Sequence, residues 1–119
     1  MGHVRVDIEI VNAVHRERSV VFQGALIDTG ATRTTIPRAL ANELELEIIG
    51  RQQIQTADGS HEIDQSFALI RYEGRQTIGD IWISDTYPGV LIGVVTLESL
   101  GLAVDPGSGR LTNSEFLLL

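Results

Sequence analysis

Residues 4 to 10 impose the tightest constraint on this chain. Val4, Val6, Ile8 and Ile10 alternate without a break with Arg5, Asp7 and Glu9. Side chains of a strand point to opposite faces in turn, so this period of two builds one aliphatic face and one charged face. Such a strand belongs to a sheet with one side buried and one side wet. The polar segment Asn12 to Arg18 then reads as a turn, and Val20 to Phe22 opens a second strand. Ala25-Leu26-Ile27 is a short apolar run that stops at Asp28-Thr29-Gly30.

The rest of the chain continues in short pieces. Pro37 sits where a first helical turn tolerates proline, and Leu40 and Leu44 share a helical face, so a short helix is predicted over Pro37 to Glu45. Ile54 to Thr56, Ala57-Asp58-Gly59-Ser60 and His61 to Ile63 read as a hairpin with an Asp-Gly turn. Phe67 to Tyr72 and Gln76 to Ile83 are two more strands joined around Glu73-Gly74. Val90-Leu91-Ile92-Gly93 is a second apolar run stopped by glycine, and Thr96 to Leu100 is a short helix that Gly101 ends. Val104-Asp105-Pro106-Gly107 turns into a last strand near Arg110-Leu111. The expectation is a mostly β fold: a closed or partly closed β-barrel with two short helices, formed as a single domain over residues 1–119.

Composition narrows the function more than the fold. Hydrophobic residues make up 43% and aromatics only 5%, so the core should be aliphatic. The nine basic residues, all Arg, face 16 acidic ones, for a net charge of −7. Such a surface repels phosphate backbones and anionic lipid, which argues against nucleic acid and membrane partners. The absence of cysteine removes disulfides, thiolate catalysis and Cys-based zinc sites, and it fits the reducing cytoplasm expected as the location. Met1-Gly2-His3-Val4-Arg5 runs straight into the charged strand, so no signal peptide is predicted. No apolar run approaches the roughly 18 residues of a membrane span. His3, His15 and His61 lack metal-ligand spacing and read as surface residues. Gly107-Ser108-Gly109 has no following helix and is no phosphate cradle, and Trp82, between Ile81 and Ile83, reads as packed. No nucleophile-elbow pattern is present.

The residues that carry chemistry are Leu26-Ile27-Asp28-Thr29-Gly30-Ala31. A carboxylate at the end of an apolar strand is held on a rigid base, and Gly30 lets the backbone turn sharply beside it. The Thr29 hydroxyl can reach a neighbouring loop. This suits a carboxylate that must be firmly placed and partly desolvated. Asp and Gly are also ordinary turn residues, so the tripeptide alone does not decide between a site and a turn.

The second apolar run adds the deciding context. An Asp-Thr-Gly strand end followed downstream by two apolar residues and a glycine, with a helix after it, resembles the retropepsin-like (clan AA) aspartic proteases. The resemblance extends from about Val4 to Leu111 and is nearest to the short microbial single-domain members. It implies that Leu91-Ile92-Gly93 threads past the Asp28 loop and supports it together with Thr29, Gly30 and Ala31. It implies the acid protease fold, no metal and no cofactor. Asp28 would be the catalytic residue. The chain has one such motif and 119 residues, too few for two lobes, so the second acid is expected from a second copy in a homodimer. The substrate would be a peptide or protein, hydrolysed by a water held between the two carboxylates. The hairpin at Thr56, Ala57, Asp58, Gly59 and Ser60 occupies the place of the family's flap over substrate, against the alternative of an ordinary surface hairpin.

Two features depart from the retroviral pattern. The acidic residue after the motif's alanine and the Arg after the distal glycine are replaced by Thr32 and Val94. Losing both together avoids a stranded buried charge. Arg33 reads as solvated. The apolar tail Phe116-Leu117-Leu118-Leu119 is open between pairing with residues 4–10 of a partner and a loose end. Beside the protease stand a non-catalytic dimeric β-barrel binding or scaffold module of the same fold, and an unrelated β-domain with a chance motif.

Overall fold

Strand β1 (Arg5–Val11) carries out the alternation, with Ile8 and Ile10 buried and Arg5 and Asp7 exposed. The structure, a computed structural model, describes residues 3–114; the tail expectation at Phe116 to Leu119 lies outside them. Strand β2 (Ser19–Ile27) runs antiparallel to β1 and unites the two pieces expected separately. The break between them is a bulge: the register slips so that Asp7 faces Gln23 and Gly24, and Gly24 takes φ 75°. Asp7 fixes the bulge by accepting the Gly24 N–H at 2.9 Å, while Arg5 donates to the Gly24 carbonyl at 3.0 Å.

The chain continues through β3 (Thr34–Pro37), α1 (Arg38–Glu43), β4 (Gly50–Thr56), β5 (Gly59–Tyr72) and β6 (Arg75–Ser84). It ends with β7 (Leu91–Ile92), α2 (Val94–Ser99), β8 (Leu102–Asp105) and β9 (Arg110–Asn113). The main sheet is ordered β1-β2-β7-β3-β6-β5, and β5 pairs back onto β1. Six strands therefore close a ring, β4 hangs from β5 alone, and β8 and β9 form a separate ribbon. The fold is mostly β with two short helices, as expected.

The interior is aliphatic. Ile8, Ile10, Ile27, Ile36, Ile70, Ile81 and Ile92 meet inside the ring, and Leu40, Leu44, Leu97 and Leu100 bring the two helices onto it. Burying each such side chain contributes roughly 1.5–3 kcal/mol, so the ring is held by many similar terms.

Several boundaries differ from the sequence expectations. Strand β3 was not foreseen: it is short, and its buried residues are Thr34 and Ile36, a mixed pair with no apolar alternation. Pro37 caps α1 instead of entering it, because its extended ψ of 152° belongs to the preceding strand. The return of the hairpin and the strand from Phe67 are one 14-residue strand, β5. At the hairpin tip the turn residues are Ala57-Asp58, not Asp-Gly, and Gly59 opens β5 at φ 117°. The β5–β6 turn does follow expectation: Glu73 and Gly74 take φ 46° and 80°, as a tight two-residue turn requires. No helix among the described residues is long and apolar enough to cross a membrane.

Asn12, expected in a polar turn, is buried and joins two loops. Its Nδ2 donates to the Leu44 carbonyl at 3.0 Å and to the Glu45 carbonyl at 3.2 Å, which occupies carbonyls left open at the end of α1. Its Oδ1 accepts the N–H groups of Val14 and His15, both at 2.9 Å. Asn12→Ala strands these buried groups and is expected to cost about 1–3 kcal/mol in urea unfolding. A loss within error of wild type would contradict this role.

Candidate active site

Asp28 follows the last residue of β2, and its position comes from backbone pairing. β2 and β7 lie parallel, with Ile27 beside Ile92. The Leu26 N–H donates to the Val90 carbonyl and the Asp28 N–H to the Ile92 carbonyl, each at 2.9 Å. The chain then closes on itself: the Ala31 N–H reaches the Asp28 carbonyl at 3.1 Å, and the Gly30 N–H donates to Asp28 Oδ1 at 3.0 Å. Asp28 is half-buried, and among the described residues Oδ2 has no hydrogen-bond partner. One oxygen is thus oriented and the other is open.

The next residues lock this loop to α2. The first turn of a helix has N–H groups without helical partners. Here the Val94 N–H donates to the Ala31 carbonyl at 2.8 Å and the Val95 N–H to the Thr32 carbonyl at 3.3 Å. Thr34 is buried and accepts the Gly93 N–H at 3.0 Å, while its hydroxyl lies 2.6 Å from that of Thr96. Gly93 itself is pressed against the loop. A Cβ there would lie 2.5 Å from the Arg33 carbonyl carbon and 2.7 Å from the Thr32 oxygen. Gly30 has a different reason from the one read in the sequence. Its φ is not positive, and a Cβ would stand 3.3 Å from Asp28 Oδ1, crowding the carboxylate.

The structure thus brings Asp28, Gly30, Ala31, Leu91, Ile92 and Gly93 into one interlocked unit. Thr29 is exposed, and no hydrogen bond within the described residues uses its hydroxyl. Thr56, Ala57, Asp58, Gly59 and Ser60 form the tip of the β4–β5 hairpin, and their side-chain hydrogen bonds stay within the hairpin among the described residues. There the Thr56 hydroxyl accepts from the Asp58 N–H and donates to the Gly59 carbonyl, both at 3.2 Å. Ser60 Oγ donates to Gln53 Oε1 at 2.8 Å.

Ion pairs around β3 were not legible in the sequence. Arg33, read as solvated, pairs with Asp80 of β6 at 2.8 Å. Arg38 holds Asp85 with two hydrogen bonds, 2.8 and 3.1 Å, and reaches Asp64 of β5 at 2.8 Å. Asp64 also accepts Arg51 Nε at 3.0 Å. His3, His15 and His61 are exposed, and among the described residues no group of three acidic or His side chains could hold a metal ion.

The gag-polyprotein putative aspartyl protease model matches residues 21–109. The chain belongs to this aspartyl protease family. No curated protein matches it. Among solved structures, the EIAV protease bound to the inhibitor HBY-793 has a TM-score of 0.64 at 19% identity, covering 98% of this chain and 94% of that one. A retropepsin-like aspartic protease from Rickettsia conorii has a TM-score of 0.62 at 18% identity, with coverage of 87% and 77%. The retroviral protease-like domain of Ddi1 from Leishmania major has a TM-score of 0.62 at 16% identity, with coverage of 95% and 90%. At these identities the likeness establishes the fold. In this family member the ring of strands is therefore the retropepsin-like one.

Two outcomes follow from the geometry. Gly93→Ala drives a methyl group into the Arg33 carbonyl and is expected to destabilise by about 3 kcal/mol or more, seen as a lowered urea midpoint. A midpoint equal to wild type would show that the loop is not locked there. The Arg38 guanidinium beside Asp85 holds that carboxyl below the usual carboxylate range. A depressed folded-state value means stability present above the unfolded carboxylate value and lost as pH falls through the folded one. Asp85 is largely exposed, so Asp85→Asn should cost at most about 0.5 kcal/mol at neutral pH. The difference from wild type should vanish in strong acid; a difference that grows there would reverse the assignment.

Proposed function

We propose that the chain is one protomer of a homodimeric aspartic endopeptidase, with Asp28 as its catalytic residue. The observation that carries this reading is the mounting of Asp28: a half-buried carboxylate, one oxygen oriented by the Gly30 N–H, on a loop locked through Gly93. Peptide hydrolysis by aspartates needs two carboxylates sharing one proton, because two like charges so close do not both ionise. The sequence has one Asp-Thr-Gly, so the other acid is the partner's Asp28, brought in by a two-fold axis. Exposure of Thr29 supports this, since its hydroxyl is available to brace the partner's loop.

In the reaction the ionised carboxylate takes a proton from the water between the pair. The oxygen of that water attacks the scissile carbonyl carbon, and the protonated carboxyl gives its proton to the carbonyl oxygen. The resulting tetrahedral diol breaks its C–N bond as the carboxyl that took the water's proton gives it to the amine nitrogen, and a diol hydroxyl returns its proton to the other carboxylate, which restores the pair. The β4–β5 hairpin at Thr56 to Ser60 acts as the flap that closes over an extended peptide and excludes water.

Asp28→Asn keeps the shape and removes the acid. It should lower kcat on an unstructured peptide by at least about a hundredfold and leave the dimer intact in sedimentation. Wild-type activity should peak on the acidic side of neutral and fall as the pair loses its shared proton. Equal cleavage by wild type and variant would end the protease reading. Dimers that never cleave would leave a binding module of the same fold.

A further inference from the structure

The β4–β5 hairpin is an arm with a definite root. β5 pairs with β6 from Tyr72 back to Asp64, which faces Ile83, and beyond that point Gly59–Ile63 pair with β4 alone. Asp64 is therefore the residue at which a two-stranded arm leaves the ring. A groove of about 440 Å³ separates the arm, at Ile54 and Ile63, from Ser84 at the end of β6 and Asp85 and Thr86 after it. Little packing thus fixes the arm's angle on this side.

One side chain ties the arm's root to Asp85, a residue of the groove's wall. Arg38 reaches Asp64 on the arm and Asp85 on the opposite wall, each at 2.8 Å, and Asp64 is only 15% exposed. Arg51 of β4 holds the other oxygen of Asp64 at 3.0 Å, so both strands of the arm are tied to the same carboxylate. Arg38 in turn follows β3 directly, and β3 begins at Thr34, whose hydroxyl holds Gly93. A rigid stretch of four strand residues, Thr34–Pro37, therefore connects the locked Asp28 loop to the arm's root.

We propose that Arg38 is a positioning residue, an ionic pivot clamp that sets the arm's angle against the ring through Asp64. The Asp85 leg anchors the guanidinium; the Asp64 leg does the positioning. Substrate closure then depends on Arg38 while the chemistry at Asp28 does not. The link to substrate rests on the protease reading, but the clamp itself does not.

Hydrogen–deuterium exchange on the whole chain tests the clamp without activity. In Arg38→Gln and in Asp64→Asn, amides of residues 52–56 and 59–63 should exchange about fivefold faster, while those of β1 keep the wild-type rate. The double variant should exchange less fast than the product of the two single effects, since both single variants remove the shared Arg38–Asp64 contact. Arg38→Lys, which keeps a charge, should recover part of the protection, and it serves if Arg38→Gln fails to fold. Unchanged arm exchange in a folded Arg38→Gln, or faster exchange throughout the ring, would overturn the clamp. With peptide substrate, Arg38→Gln should raise KM about fivefold and keep kcat within about twofold. A loss confined to kcat would also overturn it. Faster arm exchange in a protein that cleaves nothing would uphold the clamp and count against the Asp28 reading alone.

Discussion

The passage of Gly93 beneath the Asp28 loop is the contact on which the architecture depends. No side chain larger than hydrogen fits, since even a Cβ would stand 2.5 Å from the Arg33 carbonyl carbon. Because the approach is that close, the Val94 and Val95 N–H groups can reach the carbonyls of Ala31 and Thr32. The same approach lets Thr34 hold the Gly93 N–H. Two segments distant in sequence thus satisfy each other's backbone groups, including the first N–H groups of α2, which have no helical partner. The parallel pairing of β2 with β7 and the seat of α2 follow from that meeting.

Around this neutral backbone lock lies a shell of charge. The chain is acidic and has only nine cationic side chains, all Arg. Two of them flank β3, Arg33 against Asp80 at its start and Arg38 against Asp64 and Asp85 at its end. A guanidinium can hold two carboxylates in fixed directions, which a lysine ammonium does less well. Partly exposed pairs of this kind add little stability. Their use is geometric: they fix how a short buried strand sits against its neighbours.

The features that could be read from the chain were those governed by local pattern. The alternation from Val4 to Ile10, the Glu73-Gly74 turn and the glycine stop after α2 depend on residues close in sequence, and the structure repeats them. Features resting on long-range partners could not be read. Thr34 and Thr96 look like ordinary polar residues until the fold buries their hydroxyls 2.6 Å apart. Asn12 looks like a turn residue until α1 ends against it. Gly59 opens a strand at φ 117° because pairing places the turn one residue earlier than the Asp-Gly signal suggested.

The sequence by itself determined the strand-rich character and the aliphatic core, and it marked Asp28 as a carboxylate ending an apolar strand, because side-chain period and strand-ending glycines act over a few residues. Only the tertiary structure decided what holds that acid and what ties the hairpin to it. Those depend on which carbonyl meets which amide and which carboxylate meets Arg38, contacts that exist only once the ring has closed.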